Sequence, residues 1–286
     1  MNRLLVCTCV GVGVLALAAG SAAGAVQVLY TLEPPDSGTT VSDRLTADGA
    51  QVPSLEPGVS IDPADLNPKF GSQSLKFTNA SGKNRLDFNL GGVNLGTSFT
   101  VAAYVDPDVT GWTRTFTSYS GGGSLVDGEV ILGFDNRQTP GSSNGLALYV
   151  NPDGAGAATT LFADSGKVSW TSGYHHLVGT YDSGGLMSIY FDGELVGSKS
   201  APSGSLTING ELYFGEDRTD PRENEPFFGH ADDVLILDRA LSEGEMKLLA
   251  SQGAVAFLQI PEPSSAVVFL VLGLLGWAGV ARRRGR

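Results

Sequence analysis

The chain has 286 residues, of which 42% are hydrophobic, and it carries 18 Lys and Arg against 30 Asp and Glu, a formal net charge of −12 at pH 7. This acidic balance excludes nucleic acid and anionic membrane surfaces as favoured partners, because phosphate binding requires clustered Lys and Arg. The 39 Gly are scattered without a period, which indicates many tight turns and argues against a repeat architecture.

The first element in chain order is a predicted signal peptide over residues 1–25. Arg3 precedes an apolar run at residues 4–19, and the small residues 23–25 fit the A-x-A rule for signal peptidase. Cleavage by that enzyme is therefore predicted before Val26. Both cysteines of the chain lie inside this segment, so the mature protein would contain no disulfide.

The segment 26–260 is predicted to form one exported domain. Its length of about 235 residues is enough for one large β domain with a substantial core. Five arginines and Glu262 lie outside this segment, so its formal net charge is −16. Neutral polysaccharides, divalent cations and basic proteins are compatible partners for such a charge.

Segments that mix β-branched and aromatic residues recur through this domain and predict strands. Between two apolar runs, Asp192-Gly193 predicts a type I′ hairpin, because both central residues of that turn need positive φ. Residues 34–71 are rich in Pro, Gly and Asp and predict a long irregular connection. The predicted strands are residues 26–33, 73–79, 85–90, 98–106, 114–119, 129–135, 146–150, 159–163, 174–182, 186–191, 194–200 and 228–237.

One soluble helix is predicted near the end of the domain. Ser242 and Glu245 form an S-x-x-E capping box, and Gly253 suits the C-terminal cap. The apolar stripe between these signals consists of Met246, Leu248 and Leu249. Many strands with one short C-terminal helix predict an all-β fold, an antiparallel sandwich of two sheets.

The last segment, residues 261–286, has the composition of a membrane-spanning tail. Pro261, Glu262 and Pro263 precede an apolar stretch at residues 264–281, and arginines follow it. As a helix this stretch would measure roughly 27 Å, just short of the roughly 30 Å hydrocarbon core. The arginines would hold its end in the cytoplasm. A plain C-terminal anchor and a sorting signal both fit this pattern.

The order of motif, apolar helix and arginine cluster resembles the PEP-CTERM sorting signal of bacterial envelope proteins. The resemblance implies that an exosortase recognises and cleaves the chain near Pro261-Glu262-Pro263. The protein would be anchored transiently in the inner membrane through its C-terminal helix. It would then be released or transferred to the cell surface.

The domain itself resembles the concanavalin A-like, laminin-G-type jelly roll. Tyr174 stands where that family usually carries Trp. The resemblance covers about residues 26–253, although residues 111–172 match only in general strand character. It implies a fold used mostly for recognition, often with a calcium ion and with ligands held by rim loops. The segments that carry the resemblance are residues 37–43, 70–77, 174–182, 189–196 and 229–242.

The sequence offers no catalytic constellation. Some members of the wider superfamily hydrolyse β-glucans with an E-x-D-x-x-E string, which this chain lacks. Glu129 and Asp135 flank a predicted strand and would stand about 20 Å apart, well beyond the roughly 5 to 5.5 Å of a retaining glycosidase. His175 and His176 are adjacent in a strand, so they would point to opposite faces and could not act together. We expect one sandwich histidine, one surface histidine and no enzyme activity.

Calcium is the expected metal, at a site that joins the two ends of the domain. In this fold the first and last strands tend to be neighbours, so Glu33 or Asp36 could approach Asp232. Asp232 occupies a position where the family usually carries Asp, and backbone carbonyls would complete the oxygen shell. The alternative is that Asp232 is a solvated or turn-capping acid.

The ligand-binding residues are not identified by the sequence. The mixed-charge segment 216–225 could form a ligand-facing rim, and Trp112, Tyr119 and Trp170 could stack on a sugar ring, although core packing is the alternative for each aromatic. We therefore expect an exported surface or matrix protein that recognises a glycan or matrix component without catalysis. A structural biofilm or envelope component without a specific ligand is the alternative, and a glycoside hydrolase is less favoured.

Overall fold

The computed structural model describes residues 26–30, 54–55, 58–62, 69, 73–78, 85–88, 90, 92–108, 113–118, 127–135, 145–208, 210–215 and 226–258. The chain divides into two compact units, Gly24–Ile260 and a second unit made of Met1–Ala23 with Pro261–Arg286. The second unit, with the predicted signal peptide and sorting signal, lies outside the described residues. Within the described residues no helix is long and apolar enough to cross a membrane.

Fifteen strands and one helix occupy the described part of the chain. Most observed strands coincide with the predicted ones within a few residues. In chain order the elements are β1 (Val26–Tyr30), β2 (Ser54–Leu55), β3 (Val59–Asp62), β4 (Ser74–Phe77), β5 (Leu86–Asp87), β6 (Phe99–Pro107), β7 (Thr113–Ser118), β8 (Glu129–Phe134), β9 (Leu146–Asn151), β10 (Thr159–Phe162), β11 (His175–Tyr181), β12 (Leu186–Phe191), β13 (Glu194–Ser200), β14 (Leu212–Phe214), β15 (Gly229–Leu237) and α1 (Glu243–Leu258).

The strands form two antiparallel sheets. The first has eight strands in the order β13-β12-β11-β6-β15-β4-β3, with β1 also paired to β15. The second has seven strands in the order β10-β9-β8-β7-β14-β5-β2. The predicted all-β, two-sheet antiparallel sandwich with one C-terminal helix is therefore confirmed.

The first and last strands are neighbours, as the sequence predicted. Residues from Val26 to Tyr30 of β1 run antiparallel to β15, with Tyr30 opposite Val234. The other half of β15 pairs with β4 along the same edge, and its opposite edge pairs with β6. This pairing places the beginning of the domain beside Asp232 and Asp233, where β15 carries a bulge and Asp233 has a φ of 46°.

Strand alternation creates the main core between the two sheets. Side chains such as Val101 and Leu177 from one sheet meet Leu132 and Leu148 from the other, all with 0% exposure. A second apolar cluster lies between α1 and the outward side of the eight-stranded sheet, which we call the helix-covered face. Its sheet residues are Ala102, Val178, Tyr190, Leu235 and Leu237.

The predicted capping box of α1 is confirmed. The backbone N–H of Ser242 donates to Glu245 Oε2 at 2.8 Å, and the N–H of Glu245 faces Ser242 Oγ at 3.4 Å. Gly253 interrupts the helix with a φ of 81°, close to the predicted end. The chain then resumes helical structure to Leu258, because Asp233 Oδ2 accepts the N–H of Ala254 at 2.7 Å and caps the second segment.

The predicted hairpin turn is also confirmed, since Asp192 and Gly193 have φ values of 51° and 82°. The irregular connection predicted for residues 34–71 was wrong in part, because β2 and β3 lie within it. In β3, Val59 and Ile61 alternate with polar residues and are 3% and 6% exposed. Pairing with β4 and burial of these two side chains outweigh the turn-rich composition around them.

Candidate functional site

The outward side of the seven-stranded sheet carries a group of buried polar side chains that several strands contribute. Along β8, Val130, Leu132 and Phe134 point into the main core, so Glu129 and Ile131 point outward. The same alternation applies to β5, β7, β9 and β14. We call this side the polar face, and its described side chains include Arg85, Asp87, Thr117, Glu129, Ile131, Asp135, Tyr149, Asn151, Glu211 and Tyr213.

Strand register arranges six outward residues in one row across six neighbouring strands, β10, β9, β8, β7, β14 and β5. Because neighbouring strands lie about 4.8 Å apart, the two tyrosines of the row stand roughly 14 Å apart. One end of the row is more open, because Thr160 is half-buried, whereas Asp87 at the other end is 7% exposed. Glu211, two residues before Tyr213, is exposed. From one edge the row consists of Thr160, Tyr149, Ile131, Thr117, Tyr213 and Asp87.

Each of the two tyrosines in the row donates a hydrogen bond to a carboxylate. Tyr149 OH donates a short hydrogen bond to Asp135 Oδ2, and the two residues are 7% and 2% exposed. Tyr213 OH donates a similarly short bond to Glu211 Oε2. Burial, followed by this bond to Glu211, raises the pKa of Tyr213, so its phenol stays protonated as a donor. The guanidinium carbon of Arg85 lies 4.2 Å from the centre of the Tyr213 ring.

Thr117, in the middle of the row, has a side-chain hydroxyl without a partner. Its Oγ1 is buried and makes no hydrogen bond to any of the described residues. By contrast, Thr115 on the same strand donates from Oγ1 to the carbonyl of Leu132 at 2.6 Å. A buried hydroxyl normally finds a partner, because leaving one unsatisfied costs free energy. Thr117 therefore marks a point on the polar face where a ligand or a water could supply one.

The predicted separation of Glu129 and Asp135 is consistent with their positions at opposite ends of β8. Both side chains are buried on the polar face, at 1% and 2% exposure. Their spacing along an extended strand is about 20 Å, so they cannot serve as the two carboxylates of one retaining glycosidase site.

His175 and His176 lie on opposite sides of the eight-stranded sheet, as predicted. Nδ1–H of His175 donates to Asp192 Oδ2 at 2.7 Å, and the N–H of Thr171 faces its Nε2 at 3.1 Å. Burial lowers the pKa of His175, but the hydrogen bond and charge of Asp192 outweigh burial, and the net pKa is raised. Its ring stacks on Phe191.

The expectation of a surface histidine at this pair was wrong, because His176 is also buried, at 1% exposure. The centre of its ring lies 4.6 Å from that of Tyr104, and its Nδ1 has no hydrogen-bond partner in the part of the chain that the structure describes. Burial lowers the pKa of His176 to about 3, so it is neutral at ordinary pH. The Tyr104 OH in turn donates a hydrogen bond to the carbonyl of Leu249 in α1, the helix that covers this side of the sheet.

Asp232, the predicted calcium ligand, is 2% exposed and lies opposite Tyr104 in the sheet. Its Oδ1 accepts the N–H of Asp233 at 2.8 Å, so it supports the bulge of β15. Glu33 and Asp36 lie outside the described residues. Within the described ranges, no three His, Cys, Asp or Glu side chains converge as a metal site.

The other predicted candidates divide between the core and the part of the chain that is not described. Trp170 packs against Phe134 and Phe191, with ring centres 4.6 and 4.8 Å away, so it belongs to the core. Segment 216–225, Trp112 and Tyr119 lie outside the described residues. So do Pro261, Glu262 and Pro263.

The sequence matches a known family over most of the sandwich. Residues 79–247 match the laminin G 3 family, described as the concanavalin A-like lectin/glucanases superfamily. The chain belongs to this family. The resemblance to the laminin-G-type jelly roll is thereby confirmed. No curated protein sequence matches this laminin G 3 chain.

Solved structures with the same fold are mainly binding domains. The binding domain of Paraclostridial Mosquitocidal Protein 1 shares 14% identity at a TM-score of 0.56, over 79% of this chain and 51% of that one. The Botulinum neurotoxin serotype D ligand-binding domain, in complex with N-acetylneuraminic acid, shares 14% identity at a TM-score of 0.54, over 78% and 50% of the two chains. The laminin G 3 chain thus spans about half the length of these toxin domains.

A third similar structure is matched over almost its whole length. Domain 4 of AbnA, a GH43 extracellular arabinanase from Geobacillus stearothermophilus, in complex with arabinotriose, shares 17% identity at a TM-score of 0.57. The match covers 79% of this chain and 98% of that domain. At such identities these likenesses establish the lectin-like jelly-roll fold of the laminin G 3 domain.

Proposed function

We propose that the protein is an exported, non-enzymatic recognition module whose polar face binds a glycan or matrix component. The observation that carries this proposal is the unpartnered hydroxyl of Thr117 between Tyr149 and Tyr213, in a row that runs across the sheet. Glycan recognition needs hydrogen-bonding groups fixed beside aromatic surface, since a sugar presents both hydroxyls and C–H groups. Rigid strands hold these groups in place.

Tyr149 and Tyr213 are each 7% exposed, and we propose that they form the floor of the binding site. A ligand would reach these residues past the half-buried Thr160 at one end of the row and past the exposed Glu211 beside Tyr213. The likeness to domain 4 of AbnA, solved with arabinotriose, supports a glycan as the ligand class. The predominance of binding domains among the similar structures supports a role without catalysis.

A glycan-array screen of the full-length chain tests this proposal, followed by titration of the best ligand. Tyr149→Phe removes the phenol that holds Asp135 and should weaken binding at least severalfold. The matched control is Tyr104→Phe, which removes a buried phenol from the helix-covered side and should leave affinity unchanged. Absence of any glycan ligand, equal effects of the two variants, or release of reducing ends would contradict the proposal.

We further propose that proteases cleave the chain near both of its ends. Residues 1–25 would be removed by signal peptidase, and an exosortase would cleave near Pro261-Glu262-Pro263 after transient anchoring through residues 264–281. The protein would then reside at the cell surface or in the extracellular matrix. Mass spectrometry of the exported protein should find Val26 or a close neighbour at its start and an end near the Pro-Glu-Pro motif. An intact Arg286 on that protein would contradict exosortase processing.

We also propose that the protein binds calcium through Asp232 together with Glu33 or Asp36. A ligand that binds only the folded state, at a free concentration of about one hundred times its Kd, raises the free energy of unfolding by about 2.7 kcal/mol. Thermal melts of the full-length chain in EDTA and in millimolar calcium should therefore differ, and Asp232→Asn should remove most of the difference. Identical midpoints would identify Asp232 as a purely structural acid that supports the β15 bulge.

A further inference from the structure

The helix α1 ends close to the predicted sorting motif in the sequence. Its last helical residue is Leu258, and Gln259 and Ile260 are the two residues between it and Pro261. Two residues span at most about 7 Å even when fully extended. An enzyme that cuts near Pro261-Glu262-Pro263 therefore works within a few residues of a folded element.

The end of α1 is structurally separate from the rest of the helix. Gly253, with a φ of 81° and a ψ of 169°, interrupts the helical backbone, and helical structure resumes at residues 254–258, which we call the terminal segment. Before the break, Tyr104 OH donates to the carbonyl of Leu249 at 2.6 Å and ties the first part of α1 to the sheet. Five residues are too few for a helix that is stable alone. Contacts with the sandwich must therefore hold the terminal segment in place.

A carboxylate and an aromatic ring hold the terminal segment on the sandwich. Asp233 Oδ2 accepts the N–H of Ala254 at 2.7 Å, and the two residues are 4% and 0% exposed. Phe257 is 6% exposed and belongs to the apolar cluster on the helix-covered face. Asp233 has a left-handed φ of 46° at the β15 bulge, where its own N–H donates to Asp232 Oδ1 at 2.8 Å. The bulge therefore supports the carboxylate that caps the terminal segment.

We propose that the exosortase cleaves the chain only while the terminal segment is detached from the sandwich, so that Asp233 and Phe257 control the rate of processing. This inference rests on the proposed cleavage near Pro261-Glu262-Pro263 and concerns the regulation of that step. Proteolysis needs several residues of unfolded backbone around the bond that is cut, and buried, hydrogen-bonded backbone resists it. Short terminal elements detach in local opening events that leave the rest of a domain folded. When opening is fast relative to cleavage, the cleavage rate follows the fraction of molecules that are open.

The test is a pulse-chase measurement of the full-length chain in its native cell, which follows conversion of the precursor to the form that ends near the motif. The first variant carries ten inserted Gly and Ser residues between Ile260 and Pro261. Such a flexible linker spans roughly 17 Å on average and leaves the motif and every residue of the domain unchanged. Because the enzyme then needs no opening of the terminal segment, we expect cleavage to be at least about fivefold faster than in the wild type.

Substitutions in the domain connect the rate to named residues. Asp233→Gly removes the capping carboxylate at a position whose positive φ glycine adopts readily, and it should speed cleavage about fivefold. Asp233→Asn keeps an oxygen acceptor and should stay nearer the wild-type rate. Ser242→Ala removes the cap at the start of the same helix and is the matched control, with an unchanged rate expected. If Asp233→Gly does not fold, Phe257→Ala loosens the terminal segment through its apolar contact instead.

The outcomes separate this inference from the processing on which it rests. In the chain with the linker, Asp233→Gly should have no further effect, since the motif no longer depends on the terminal segment. Equal cleavage rates of the wild type and the linker chain would overturn the inference and leave processing at the motif intact. Acceleration by Ser242→Ala as large as that by Asp233→Gly would also overturn it, because general destabilisation would then explain both. Absence of cleavage near the motif in every chain would overturn the inference and the proposed processing together.

Discussion

The two outward sides of the sandwich differ in what covers them and in how their polar groups are used. On the helix-covered face, Val178 and Leu235 pack against Met246 and Leu249 of α1, all at 0% or 1% exposure. The polar face instead presents charged and hydroxyl side chains. Both sheets alternate in the same way toward the shared core, so the difference is confined to their outward residues. α1 packs on one face, while the other carries mostly buried polar side chains and the exposed Glu211.

Two hydroxyls near the helix are committed to structural contacts, although Nδ1 of His176 on the same side has no hydrogen-bond partner among the described residues. Tyr104 OH donates to the carbonyl of Leu249 at 2.6 Å, and Thr100 Oγ1 donates to the carbonyl of Arg239 at 2.7 Å. On the polar face, the hydroxyl of Thr117 has no such partner within the described ranges. Substitutions on the two faces should consequently separate stability from binding.

The largest effect on stability is expected when a buried side chain of α1 is truncated. Leu249→Ala removes a side chain that is 1% exposed, and such substitutions cost about 2 to 5 kcal/mol of unfolding free energy. Chemical denaturation measures this loss, with Glu243→Ala at an exposed site as the control. Glycan affinity of the folded Leu249→Ala protein should equal that of the wild type. A coupled loss of affinity would mean that the two faces are not independent.

The two adjacent histidines should respond to pH in opposite ways. The pKa of His175 is raised in the folded state, so its stabilising contribution is present below about pH 6.5 and is lost as pH rises through the folded pKa. The pKa of His176 is lowered to about 3 in the folded state. Its imidazole therefore takes up a proton on unfolding, and the free energy of unfolding falls as pH drops from about 6.5 toward 3. NMR titration of the imidazole protons should give a midpoint above 6.5 for His175 and none near 6.5 for His176.

A variant at His176 provides a thermodynamic check on that titration. His176→Phe removes the group that must bind a proton on acid unfolding, so its stability should fall less than that of the wild type between pH 6.5 and pH 4. Denaturant midpoints at these two pH values measure the difference. An unchanged pH dependence would show that the buried imidazole is not responsible for the acid sensitivity.

The capping box of α1 should make a smaller contribution to the free energy of unfolding. Ser242→Ala removes the side chain that donates to Glu245 at 2.7 Å and faces its N–H, and it should cost about 1 kcal/mol. Ser251→Ala, later in the same helix at an exposed position, should cost less, because helix interiors tolerate Ala. Urea unfolding of the two variants distinguishes them. Equal losses would argue against a specific role for the cap.

The smallest effect on stability is expected at the centre of the polar face. Thr117→Val removes an unpartnered buried hydroxyl at almost constant shape, so stability should stay within about 0.5 kcal/mol or increase. Thr115→Val removes a hydroxyl bonded to Leu132 and should cost about 1 kcal/mol. Glycan binding should show the reverse order, with the greater loss in Thr117→Val. A large destabilisation by Thr117→Val would assign this hydroxyl to the fold.

Local signals in the sequence predicted the elements that depend on local chemistry. The Asp192-Gly193 turn and the Ser242/Glu245 box could be recognised because a few neighbouring residues determine both conformations. β3 was not predicted, since its pairing with β4 and the burial of Val59 depend on residues distant in sequence.

The polar face was missed for a related reason. Alternation within β8 could have indicated that Glu129 and Ile131 face outward, but it does not give the order of strands in the sheet. That order brings Tyr149, Thr117 and Tyr213 into one row. The burial of His176 likewise depends on Tyr104 from another strand, and periodicity along β11 carries no information about it.

Hydrogen exchange of the full-length chain with and without a saturating glycan found on the array tests the central claim most directly. Recognition by the polar face predicts that the ligand slows amide exchange in β7, β8, β9 and β14, because these strands carry the row from Tyr149 to Tyr213. Exchange in α1 should remain unchanged. Protection confined to α1, β12 and β13, with no change in those four strands, would contradict the account.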